Sequence, residues 1–303
     1  MQMKKYLVIV MGVLLALFIA GCGGQPDSLK EETGQQFTDS LGRKVMIEKT
    51  PEKIISLSPA TTEILFALGL GDKIVGDTDY CDYPEGAKHV DKIGGFEDPN
   101  LELIMEKEPD IVFTAADLQD EITNRLEEVG IAVVCLDAET IEQVMDNIVL
   151  AGTITETDEK AGEIVQDMQE RLDAVKAKVQ GQPVPNVFFE VWDDPLMTAG
   201  RGSFIDSLIT IAGGNNIASD LNEKFANYSL ERLLVADPEY YLLNNHAHNP
   251  AEVKERNGYQ KLQAVINNRI YAIEDDLVTL PGPRIIEGLE EIAKSIHPEV
   301  FAK

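Results

Sequence analysis

The chain has 303 residues and carries 26 Lys and Arg against 53 Asp and Glu, a formal net charge of −27. So negative a surface repels nucleic acid and anionic lipid headgroups, which sets aside any nucleic-acid partner. The acidity serves solubility and says little about a ligand.

At the N-terminus, Lys4 and Lys5 precede an apolar run from Tyr6 to Ala20, broken only by Gly12. The run is short for a bilayer span and suits the core of a cleaved signal peptide. It ends in Ile19-Ala20-Gly21-Cys22, where small residues let the chain enter a narrow peptidase site and leave the Cys22 thiol free to take a lipid. The pattern resembles the lipobox of bacterial lipoproteins. Residues 1–21 are therefore expected to be a signal peptide, with Cys22 the lipidated anchor holding the protein outside the cytoplasm. Residues 22–36 are polar and read as a flexible tether.

From residue 37 the chain reads as a folded α/β protein. Phe37–Ile47 alternates around Ser40-Leu41-Gly42-Arg43 and predicts a hairpin. Ile54-Ile55-Ser56-Leu57 is a short apolar strand, and Ser58-Pro59 supplies an N-cap followed by proline at the first helical position. Ile64, Leu65 and Leu68 share a helical face, which Gly69 and Gly71 close. A helix over Leu101–Glu108, a strand over Asp110–Thr114, a helix through Leu118, Ile122, Leu126 and Val129, and a strand over Ile131–Leu136 follow. Strands separated by helices predict a parallel-type sheet covered on both faces. Cys81 and Cys135 could pair in an exported protein, but they fall in different predicted units and the sequence does not show that they approach closely enough.

The pattern then changes. Ile164, Met168, Leu172, Val175 and Val179 recur at helical spacing over Asp158–Gln180, giving one helix of roughly 30 Å before the stop Gly181-Gln182-Pro183. A second strand–helix series runs from Val187 to Ile296. Glu102 and Glu231 each precede a proline by seven residues, and Ala67-Leu68-Gly69 matches Ile211-Ala212-Gly213 in the same order. The expected organisation is an N-terminal α/β lobe (37–152), a rigid linking helix (153–182) and a C-terminal α/β lobe (183–303), with a ligand cleft between the lobes.

Taken together, Ser56-Leu57-Ser58-Pro59-Ala60-Thr61-Thr62-Glu63, Tyr80-Cys81-Asp82-Tyr83-Pro84, Gly94-Gly95-Phe96, Trp192-Asp193-Asp194-Pro195, Ala212-Gly213-Gly214-Asn215-Asn216 and Pro281-Gly282-Pro283-Arg284 resemble the cobalamin- and iron-complex-binding proteins of ABC importers, over about residues 37–303. The resemblance implies a monomeric binding protein that hands a small ligand to the importer's transmembrane subunits. It also implies aromatic cleft residues, and Tyr80, Phe96 and Phe225 match them, with Trp192 beside them. Flat rings suit a corrin or porphyrin at low entropic cost. The aromatic positions lead to a corrinoid such as cobalamin as the expected ligand, while Ala115 and Met197 depart from the vitamin-B12 pattern and keep a ferric siderophore or haem as the alternative. No resident cofactor is expected.

Arg284, at the start of a helix where a cation is unfavourable, is expected to meet an acidic or amide-bearing ligand group. Glu102 and Glu231 lie in first helical turns after Asn100 and Ser229. The resemblance casts them as docking residues for arginine pockets of the permease. His246 and His248 are weak metal-ligand candidates, the basis of a metal-ion receptor reading. Catalysis finds no support: the chain has no glycine-rich phosphate loop and no Gly-x-Ser-x-Gly elbow, and the side chains of the adjacent Asp193 and Asp194 point apart on an extended chain.

Overall fold

The computed structural model describes residues 34–115, 119–245 and 249–302. An antiparallel hairpin, β1 (Gln35–Thr38) and β2 (Lys44–Ile47), comes first, with Gln35 opposite Ile47. Asp39 closes its turn. One carboxylate oxygen accepts from the Leu41 and Arg43 amides, and the other accepts from the Cys135 amide, which ties the hairpin to the next sheet.

That sheet holds β3 (Ile54–Ser56), β4 (Ile74–Asp77), β5 (Ile111–Thr114) and β6 (Ala132–Cys135), all parallel, in the order β4-β3-β5-β6. Every residue of β3 and β5 is buried. Alternate side chains enter opposite cores: Ile54, Ile111 and Phe113 on one face, Ile55, Val112 and Val133 on the other. Such near-continuous apolar strands belong to sheets covered on both faces. The connecting helices are α1 (Pro59–Ala67), α2 (Leu101–Glu106), α3 (Asp120–Glu128) and α4 (Ile141–Ile154). The Ser58 hydroxyl accepts from the Thr61 amide at the head of α1, as its sequence foretells. Helix α2 is two residues shorter than expected. Glu108 takes φ 49°, because the residue before Pro109 is pushed out of the helical region.

Helix α5 (Asp158–Val179) runs unbroken for 22 residues, about 33 Å. Ala161, Met168, Leu172 and Val175 bury its inner stripe. Met168 and Leu172 share one core cluster with Ile64 and Phe113 of the first lobe and Phe189, Leu242 and Ile292 of the second. Each such side chain contributes roughly 1.5–3 kcal/mol by leaving water, so bending α5 would expose costly surface on both sides. Arg171 adds an ion pair from α5 to Glu290 at 2.9 Å.

The second lobe holds β7 (Asn186–Asp193), β8 (Leu196–Ala199), β9 (Asn215–Asn216), β10 (Phe225–Asn227), β11 (Tyr240–Asn244) and β12 (Ile270–Ile273). Its sheet is ordered β10-β8-β7-β11-β12, with β9 beside the start of β7. Strands β7, β11 and β12 are parallel, whereas β8 runs antiparallel to both of its neighbours, β7 and β10. This sheet is therefore mixed, because Asp194-Pro195 turns the chain straight back on itself. Helices α6 (Phe204–Ile211), α7 (Leu230–Ala236), α8 (Pro250–Glu255), α9 (Gln263–Ile266), α10 (Asp276–Thr279), α11 (Ile285–Ile296) and α12 (Pro298–Phe301) complete it.

The internal repeat is visible in backbone detail. Helices α1 and α6 end in the same Schellman geometry: Gly69 (φ 81°) and Gly213 (φ 81°) take the left-handed position. Leu70 and Gly214 then donate back to the Leu65 and Ile209 carbonyls. Likewise Glu108 and Asp237, each just before the matching proline, are both left-handed.

Candidate functional site

In parallel α/β sheets, ligands gather beyond the carboxyl ends of the strands. In the first lobe these ends are polar and buried: Ser56, Asp77 and Thr114. Tyr80 follows β4 and is 65% exposed. Beneath it the Lys92 ammonium donates to Asp77 Oδ1 (2.8 Å) and to the carbonyls of Cys81 (2.7 Å) and Ala87 (3.1 Å). The buried Cys81 Sγ lies 3.1 Å from Thr62 Oγ1 and 3.2 Å from Thr78 Oγ1. Burial pushes the Asp77 carboxyl up to about 6, against the opposing pull of Lys92, and raises the Cys81 thiol. Asp77 Oδ2 has no partner among the described residues.

Half-buried Phe96 is positioned differently. The Gln119 side-chain amide donates to its carbonyl (2.8 Å) and to that of Leu57 (2.6 Å), while Gln119 Oε1 accepts from the Ala115 amide (2.8 Å). One buried glutamine thus fixes three loop segments at once. Nothing in the sequence marks Gln119; its role arises from tertiary contacts alone.

In the second lobe, Met197 of β8 is in register with both Trp192 of β7 and Asn227 of β10. Two-residue periodicity puts Phe225 on the same sheet face as Asn227. Trp192 and Phe225 are 44% and 45% exposed, unusual for large rings, and the Trp192 indole donates to the Asp194 carbonyl at 3.0 Å. Two residues before Trp192, buried Glu190 accepts from both terminal nitrogens of Arg256 and from the Tyr241 hydroxyl. Burial, with Glu190 adjacent, holds the Tyr241 hydroxyl well above its ordinary range. Removing one partner of such a buried pair costs roughly 3–5 kcal/mol, so this cluster braces the strand that presents the tryptophan.

Arg284 does not sit with its guanidinium open to a ligand. Its Nε and a terminal nitrogen donate to the two oxygens of Glu63 at 3.0 and 2.6 Å, and its other terminal nitrogen to Glu274 at 3.3 Å. The cation stacks 3.7 Å from the Tyr83 ring centre. Glu63, of the opposite lobe, is buried, and Arg284 is largely shielded. The acidic group expected for Arg284 across the cleft is here a protein carboxylate. Burial raises the Glu63 carboxyl although Arg284 opposes it. A glutamate on the buried stripe of α1, beside Ile64 and Leu65, was the sequence signal for this partner.

Glu102 and Glu231 are exposed in the first turns of α2 and α7. Asn100 caps the first, accepting from the Glu102 and Leu103 amides, and Ser229 caps the second through the Arg232 amide. Cys22, His246 and His248 lie outside the described residues. Among the described residues no cluster of three His, Cys, Asp or Glu is arranged to hold a metal, and no helix is long and apolar enough to cross a membrane. Cys81 and Cys135 are both buried and free.

Two α/β lobes on one continuous helix define the architecture of a bilobal solute-binding protein. The chain belongs to the periplasmic binding protein family, whose model matches residues 54–277. It is 33% identical over 315 residues to YvrC of Bacillus subtilis strain 168, described as an uncharacterized ABC transporter substrate-binding lipoprotein, covering 99% of each chain. It is 27% identical over 243 residues to a vitamin B12-binding protein of Vibrio cholerae, covering 80% of this chain and 87% of the relative. A crystal structure of a possible iron-binding periplasmic solute-binding protein from Staphylococcus epidermidis superposes with a TM-score of 0.72 at 28% identity, covering 82% of this chain and all of that one. The family and these relatives are binding proteins, not enzymes.

Proposed function

We propose that this protein is the lipid-anchored, extracytoplasmic receptor of an ABC importer and that it captures a corrinoid, such as cobalamin, between its lobes. Tyr80 and Phe96 form one wall of the site and Trp192 and Phe225 the other. Arg284 sets the seam beneath them, Cys22 carries the lipid, and Glu102 and Glu231 meet the transmembrane subunits. The observation that carries this reading is the exposure of Tyr80 just past β4, of Trp192 near the carboxyl end of β7 and of Phe225 on the edge strand β10, where apolar rings gain most by covering a flat ligand. The vitamin B12-binding relative favours a corrinoid. The iron-binding neighbour favours a second reading on the same site, a ferric siderophore or haem.

Aromatic removal tests the site. Losing one well-buried ring contact costs on the order of 2 kcal/mol, about thirtyfold in affinity. Tyr80→Ala and Trp192→Ala should each weaken cyanocobalamin binding by that factor. Wild-type affinity in both variants would remove these residues from the site, whereas wild-type binding of haem or a ferric siderophore with no corrinoid affinity would keep the site and replace the ligand.

A further inference from the structure

Among the described residues, Glu139–Lys224 and Glu63–Arg284 are ion pairs that cross from lobe to lobe, and they are physically unequal. Glu139 and Lys224 meet at 2.6 Å, but both side chains are more than half exposed, so solvent and salt screen them. Glu63 and Arg284 meet with 3% and 12% of their side chains exposed, through a two-pronged geometry that only a guanidinium provides. The seam is built closely around the second pair. The backbone at Gly282 approaches so near that a side chain there would lie 3.2 Å from Glu63 Oε2. Tyr83, three residues after Tyr80, caps the guanidinium. Arg284 also lines a cavity of about 300 Å³ with Ile164, Met168 and Arg171 of α5. The pair therefore lies between the spanning helix and the loop that carries Tyr80.

The charge balance matters as much as the contact. Asp276 Oδ2 stands 3.7 Å from the same guanidinium, and Glu274 3.3 Å, so three carboxylates from two lobes share one cation. Without that cation, Glu63 on one lobe would lose its partner beside Glu274 and Asp276 on the other, and like-charge repulsion, or the protonation that relieves it, would replace the attraction that closes the seam.

We propose that Glu63 and Arg284 are positioning residues that set the aperture of the cleft, holding the Tyr80 wall at a fixed distance from the Trp192 wall before any ligand arrives. The long helix limits the direction of lobe movement; the ion pair fixes its rest point. This rests on the binding role above for its consequence, but the tie itself is a property of the unliganded protein.

The test is the inter-lobe distance distribution of the unliganded full chain, from spin labels on Glu121→Cys and Lys261→Cys, with affinities for cyanocobalamin and haemin measured beside it. Arg284→Met should lengthen and broaden the distribution. Glu63→Gln, which keeps an acceptor but loses the charge, should do so less. Arg284→Lys, a point charge without the fork, should fall between wild type and Arg284→Met, and Glu139→Gln should leave the distribution unchanged. If the binding-competent population falls to about a tenth in Arg284→Met, affinity for the probe that wild type binds falls about tenfold. Should Arg284→Met fail to fold, Glu63→Gln and Arg284→Lys carry the test. Unchanged distributions in the variants that fold would overturn the proposal. A broadened distribution with a wild-type protein that binds neither probe upholds the tie and overturns the ligand reading.

Discussion

Asp77 offers a quantitative check on how the ligand-side loop of the first lobe is held. Its carboxyl is buried at the end of β4 with one oxygen on Lys92 and the other unpartnered, and burial wins, raising it from 3.8 to about 6. The sign follows from proton linkage. A carboxyl that binds its proton more tightly when folded stabilises the fold fully below the unfolded value, and that stability is lost as pH rises through the folded value. The window is therefore pH 3.8 to 6. The full shift corresponds to about 3 kcal/mol, and on the order of 2 kcal/mol is expected once solvent around the partly exposed Lys92 is allowed for. Other carboxyls work in the opposite direction: Asp91 and Glu290 are held below their usual range by Lys107 and Arg171 and lose stability in acid. Only a difference measurement isolates Asp77. Urea unfolding of wild type and Asp77→Asn at pH 4 and pH 7 should show wild type gaining on the variant by about 2 kcal/mol at the acidic end. A difference independent of pH would refute the assignment of that titration to Asp77.

Three further outcomes follow from the architecture. Cys22→Ser should yield soluble or unprocessed protein in cell fractionation, and mature, membrane-bound protein in that variant would contradict a lipid anchor. Small-angle scattering should show almost no compaction on ligand saturation. A compact domain the size of residues 37–303 has a radius of gyration of about 18 Å, and one continuous helix resisting hinge rotation should keep the change under ~0.5 Å. Replacing Glu102 and Glu231 together by arginine should abolish uptake while leaving ligand affinity of the isolated protein intact. Close charge pairs across an interface couple by roughly 1.5 kcal/mol or more, and reversal turns attraction into repulsion. Normal uptake would remove the docking role, and lost ligand binding would move these residues into the site.

Much of the fold was legible because local rules and tertiary packing agree. Ser58-Pro59 announces the head of α1, Gly69 and Gly213 announce matching helix ends, and the Met168, Leu172 and Val175 stripe announces a helix that both lobes cover. The antiparallel return of β8 was not legible, since a short apolar segment after Asp194-Pro195 reads the same whichever way it pairs. At the site, the exposed rings were visible as residue types in turn-rich segments, but their supports were not. Gln119 is one polar residue among many until folding brings Leu57, Phe96 and Ala115 around its amide. Arg284 was marked by its unfavourable place at a helix start. Its partner was the harder half, because Glu63 is 221 positions away in the chain and only the closed seam brings the two together.

Aromatic walls on the two lobes that enclose a flat, metal-bearing organic ligand must bind one in solution. Calorimetric titration of the delipidated mature protein with cyanocobalamin, with haemin and a ferric siderophore in parallel, is the test. Saturable one-to-one binding of cyanocobalamin is expected, with a dissociation constant at or below the micromolar range, about −8 kcal/mol or stronger. Binding of none of the three, at concentrations that would reveal millimolar affinity, would contradict it.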